Sequence, residues 1–69
     1  MKIIFTKHAE EQMKERGISK DEVINTLKYS EKILKITDRY YAQKRVSIGI
    51  IEVVYTREKY IKVITVYPL

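Results

Sequence analysis

Ser47-Ile48-Gly49-Ile50-Ile51-Glu52-Val53-Val54-Tyr55 and Tyr60-Ile61-Lys62-Val63-Ile64-Thr65-Val66-Tyr67, separated by a polar break around Arg57-Glu58-Lys59, decide the fold. Both runs are rich in β-branched and aromatic residues, and the break is short, so they read as two strands of a hairpin. Ile50, Ile51, Val53 and Val54 are apolar at odd and even positions alike, as are Ile61, Val63, Ile64 and Val66. Strands that are apolar on both faces belong near the centre of a sheet. Toward the N-terminus, Tyr40–Arg45 reads as a further strand, Asp38-Arg39 as a turn and Ile33–Thr37 as a strand before it. Pro68 closes the chain after the last strand.

Before Ile33 the apolar period is helical. Thr6 is placed to cap a helix over Lys7–Arg16, and Gly17 supplies the left-handed residue that ends it. Ser19-Lys20-Asp21-Glu22 fits a capping box that opens a second helix, ending at Lys28 or Tyr29. Ala9, Met13, Ile18, Val23, Ile24 and Leu27 are the residues this period turns inward. Met1–Phe5 is a short edge strand or an extended lead-in. Helices followed by strands give an α+β fold, with both helices on one face of a twisted antiparallel sheet of about four strands and the other face partly open.

Composition narrows the function classes. Sixty-nine residues suffice for a single domain spanning 1–69, which buries only about 60% of its unfolded surface. Cysteine is absent and there is one histidine, so neither a disulfide frame nor a metal-ligand spacing can be read, and no cofactor is expected. No Gly-rich phosphate loop or nucleophile triad supports a small-molecule enzyme. The N-terminal apolar run is broken at Thr6-Lys7-His8 and no run is long enough to span a membrane, so the cytoplasm is the expected compartment. A net charge of +5 favours an anionic partner, either nucleic acid or an acidic protein. A DNA-reading helix-turn-helix is disfavoured by Asp21 and Glu22, which make the first turn of the second helix acidic where base-reading side chains usually sit.

His8-Ala9-Glu10-Glu11-Gln12-Met13-Lys14-Glu15-Arg16-Gly17-Ile18-Ser19 resembles the H-A-x-x-R-M-x-x-R-G-I-S opening of a small prokaryotic domain-of-unknown-function family. Members of that family end in a strand like Val63-Ile64-Thr65-Val66-Tyr67-Pro68. The family is similar to the BrnT and RelE/ParE toxins, in which two helices pack on a curled antiparallel sheet. The resemblance covers nearly the whole chain. It implies the toxin half of a toxin–antitoxin pair or a descendant of one. The partners it implies are messenger RNA, on or off the ribosome, a cognate antitoxin and a second copy of the chain. The activity implied is RNA cleavage without a metal. Gln12 departs from the pattern, standing where the family carries Arg.

Such cleavage needs a base for the 2′-hydroxyl, cations for the phosphate and an acid for the leaving oxygen. His8 is the candidate for the base or the acid, the role histidine side chains serve near neutral pH, and Arg16 and Arg45 are candidate phosphate cations. Tyr67 sits where RelE-like toxins often carry a functional residue. His8, Gln12 and Arg16 form one helical stripe whose ends lie about 12 Å apart, too far for both to touch one phosphate. The ordinary alternatives are a first-turn histidine bonded to its surroundings and a C-terminal cation favoured by the helix dipole. Arg39, Tyr40, Tyr41, Lys44 and Arg45 interleave cations and rings, which is chemistry for single-stranded RNA. The competing reading is a strand protected against edge aggregation. Glu52 is either a base or a cross-strand partner for Lys62. The non-catalytic alternative is a module that binds RNA or protein through this basic face.

Overall fold

Thr6 has an extended backbone (φ −68°, ψ 158°), and its hydroxyl accepts the Ala9 N–H at 3.1 Å, which starts the first helix. In the computed structural model, which describes residues 1–69, this cap joins strand β1 (Ile3–Phe5) to helix α1 (Lys7–Arg16). Gly17, at φ 69°, turns the chain out of α1, and the Ile18 N–H closes back on the Met13 carbonyl at 2.9 Å. The Ser19–Glu22 capping box forms in full and opens α2 (Lys20–Lys28). Four strands follow: β2 (Lys32–Ile36), β3 (Arg39–Val46), β4 (Gly49–Arg57) and β5 (Ile61–Pro68).

The sheet has five strands in the order β1-β5-β4-β3-β2, so β4 and β5 are interior, as their two apolar faces require. It is mixed rather than wholly antiparallel. β2 to β5 are joined by hairpins and pair antiparallel, whereas β1 runs parallel to β5. The two helices carry the chain from β1 at one edge to β2 at the other, and the three hairpins that return bring β5 in alongside β1. The turns sit slightly off the expected places. Thr37-Asp38 rather than Asp38-Arg39 joins β2 to β3, with Thr37 at φ 55°, and Ser47-Ile48 is a turn rather than the start of a strand.

α1 packs on β5, and α2 on β3 and β4. Between helices and sheet lie Ala9, Met13, Ile18 and Val23 against Ala42, Ile51, Val53, Tyr55, Val63 and Val66. Of the six residues expected inside, Leu27 only flanks this core and Ile24 is half-buried. Thr26 is fully buried in their place, its hydroxyl satisfied by the Glu22 carbonyl at 2.8 Å. α2 is thus rotated toward Val23 and Thr26, and a threonine that bonds its own helix can lie in an apolar core. The far face of the sheet carries no helix. No helix of the chain is long and apolar enough to cross a membrane.

Candidate nucleic-acid interface

Alternation along β3 divides the cation-and-tyrosine segment between two surfaces. Tyr40 pairs across to Tyr55 and Ala42 to Val53, so even-numbered residues of β3 face the helices. Tyr40 stacks on Tyr55, with ring centroids 5.1 Å apart and planes 13° from parallel, and Lys35 lies over the Tyr40 ring at 5.3 Å. Lys44 shares that side, opposite Ile51. Arg39, Tyr41 and Arg45 project from the other, helix-free face. The five residues therefore do not form one patch: Tyr40 belongs to the margin of the core and Lys44 to the helix side.

The helix-free face is built in rows across the strands. Gln43, Glu52 and Tyr67 make one row, flanked by Tyr41, Val54 and Thr65 on one side and by Arg45 and Ile50 on the other. A further row holds Arg39, Thr56 and Lys62, while Lys32 adjoins Gln43 from β2. Lys32, Arg39, Arg45 and Lys62 thus share this face with Glu52, the one acidic residue in any strand, Arg45 in the adjoining row and Arg39 and Lys62 two rows away.

Glu52 is held in place. The Gln43 side-chain N–H donates to one carboxylate oxygen at 2.7 Å, and the Tyr67 hydroxyl donates to the other in a short contact. That contact to Glu52, with burial behind it, pushes the Tyr67 hydroxyl up to about 12, so Tyr67 keeps its proton through the neutral range. Each carboxylate oxygen retains a further lone pair for an incoming donor. Lys62 is not the partner of Glu52. The register sets Tyr67 opposite Glu52 and leaves Lys62 opposite Thr56, four residues farther along β4 and beyond the bulge at Val54 and Tyr55.

The α1 stripe has another role. β1 leaves β5 after Phe5 pairs with Val63, and α1 then runs along the exposed edge. The Gln12 side-chain carbonyl accepts the Val66 N–H at 2.9 Å and the Thr65 hydroxyl in a short contact, replacing the strand that has ended. His8 and Arg16 are exposed on either side of it. A shallow concavity of about 450 Å³ beside the stripe is lined by His8, Glu11, Gln12, Lys14 and Glu15. Its two glutamates make it a poor seat for phosphate. Of the four catalytic candidates, Arg45 and Tyr67 come together around Glu52, and His8 and Arg16 stay apart on α1.

Glu52 was readable as an isolated acid among strand residues, but Gln43 carried no signal until the Ser47-Ile48 turn set its register opposite Glu52.

The family of domains of unknown function named DUF4258 matches the chain over residues 5–68, and the chain belongs to it. No curated protein and no solved structure matches the chain.

Proposed function

We propose that this DUF4258 member is a toxin-like, RNA-directed domain that takes a single strand across the helix-free face of its sheet and cleaves it. The observation that carries the reading is the Gln43–Glu52–Tyr67 row, a fixed carboxylate next to a protonated phenol on a face that also carries Arg45, Lys32, Arg39 and Lys62. Bases stack on Tyr41 and Tyr67, and Arg39, Arg45, Lys32 and Lys62 hold the backbone. Glu52 accepts the 2′-hydroxyl proton while that oxygen attacks phosphorus. Arg45 offsets the charge on the phosphoryl oxygens. Tyr67 protonates the departing 5′-oxygen and recovers its proton from Glu52. The product is a 2′,3′-cyclic phosphate, and each of these steps is carried by a side chain of this face.

A second reading is favoured by the same row. Both Glu52 oxygens already have protein donors, as in a structural cross-strand network, which suits a non-catalytic module binding RNA or an acidic protein such as a cognate antitoxin.

Purified protein is incubated with mixed-sequence single-stranded RNA, and separately with ribosomes translating a messenger RNA. The wild type is expected to cleave in at least one setting. Glu52→Gln should lower the rate about 10²–10⁴-fold with RNA binding retained. His8→Gln is the control, and catalysis borne by α1 would make it the variant that fails. Binding without cleavage establishes the module, and an absence of both sinks the RNA reading.

A further inference from the structure

The outer edge of β2 is unpaired, and its side chains are uncovered on both faces of the sheet. Ile33, Leu34 and Ile36 are 52%, 51% and 50% exposed, a dense apolar display for a strand of five residues. β2 contains no proline to block pairing along this edge.

The direction of the free groups follows from the turn. Ile36 and Arg39 close the two-residue Thr37-Asp38 link, and bonded pairs alternate from there along an antiparallel ladder. Lys32, Leu34 and Ile36 therefore bond to β3, while Ile33 and Lys35 turn their N–H and C=O groups outward.

We propose that this edge pairs with β2 of a second copy of the chain, antiparallel and centred on Leu34. In that register Ile33 lies opposite Lys35 of the second copy, and every outward N–H and C=O of the two strands meets a partner. Leu34 meets its own equivalent, and Lys32 falls beside Ile36. Lysine and isoleucine occupy mirrored places about Leu34, so no ammonium group faces another. Neighbouring registers lose this match. Centring on Lys35 sets two lysines directly opposite, and centring on Ile33 calls on the Glu31 N–H, which already donates to the Gln43 carbonyl at 2.8 Å.

The paired strands join two helix-free faces into one surface with an apolar seam of Leu34 and Ile36 from both copies. Each copy carries a net charge of +5, so association strengthens as salt screens the repulsion. The proposal stands on the edge alone, whether or not the face takes RNA.

Sedimentation velocity across a concentration series at low and high salt gives the oligomeric state. A cysteine introduced by Leu34→Cys is the only thiol in the chain. Directly opposed residues of a non-hydrogen-bonded pair have Cα atoms about 4.5 Å apart, within disulfide range. Leu34→Cys is expected to oxidise to a covalent dimer far faster than Lys14→Cys, an exposed control on α1. Lys35→Pro is expected to abolish association with the circular dichroism unchanged, because the N–H it removes is unpaired in a single copy. Leu34→Lys, which sets like charges at the axis, serves the same purpose without touching the backbone. A monomer at every concentration and salt overturns the proposal. So does a dimer that survives both substitutions and leaves Leu34→Cys no faster than Lys14→Cys.

Discussion

β1 covers the edge of β5 only as far as Val63, and the Gln12 carbonyl takes the Val66 N–H left free beyond it. The consequence for stability is specific. Gln12→Ala leaves a part-buried amide and the Thr65 hydroxyl without their acceptor, so denaturant unfolding should show a loss of about 1–3 kcal/mol. Gln12→Arg, which restores the residue of the resembled pattern, should also lose stability here, because a guanidinium can donate to the Thr65 hydroxyl but offers no acceptor to the Val66 N–H. An arginine variant as stable as wild type would mean that the edge is closed in some other way. A second residue-scale test reads the Glu52–Tyr67 bond directly. Absorbance titration of the folded protein should show late-ionising tyrosine, since Tyr67 is raised to about 12 by Glu52 and Tyr55 is raised chiefly by burial. Tyr67→Phe should remove part of that late amplitude, and Glu52→Gln should move the same part to lower pH. A titration curve unchanged by Glu52→Gln would show that the bond is not made in solution.

At the scale of elements, what could be read from the sequence was what is local. Thr6, Gly17 and the Ser19–Glu22 pair act within four residues of chain, and both helices have the ends they imply. Sheet faces were less readable because they hang on turn placement. A strand's side chains swap faces with each one-residue shift, and this parity is what put Tyr40 and Lys44 on the helix side, away from Tyr41 and Arg45. Nothing local marked Gln12, whose partner lies 54 residues away. Glu22 spans both kinds of contact. Besides its capping role, it accepts from the Ser47 N–H at 3.1 Å and from the Ser47 hydroxyl at 2.5 Å, fastening α2 to the β3–β4 turn. The Ser19 backbone first, then the Ser47 hydroxyl and backbone, hold its carboxyl down from 4.5 to about 2. A carboxyl lowered in the folded state stabilises fully above its unfolded value and loses that contribution as pH falls through the folded one. Thermal unfolding of wild type and Glu22→Gln should therefore differ near neutral pH and converge between about pH 5 and about pH 2. A constant gap across that window would assign the difference to something other than ionisation.

At the scale of the whole molecule, charge and shape together set the expectation for RNA. The net charge of +5 is only a bias, since exposed lysines also stud α1 and the loops. What distinguishes the helix-free face is that Arg39, Arg45, Lys32 and Lys62 share it with Tyr41, Tyr67 and Glu52, the one carboxylate borne by a strand. Lys44, their neighbour in sequence, points the other way. Cations on a common binding face release counterions together, and each phosphate contact to a single strand contributes about 0.7 to the slope of log affinity against log salt. Binding of a single-stranded RNA, followed by fluorescence anisotropy at several salt concentrations, should give a shallower slope for the double variant Arg39→Ala, Arg45→Ala, by about 1.4 if each holds one phosphate. Lys44→Ala removes one charge from the same strand and should leave the slope nearly as it was, against a loss of about 0.7 if Lys44 held a phosphate. A Lys44→Ala effect half that of the double variant would mean that RNA feels only the overall positive field. An effect confined to Lys44→Ala would place the strand across the helix side, where the Tyr40–Tyr55 stack and Lys35 would be the surface to examine next.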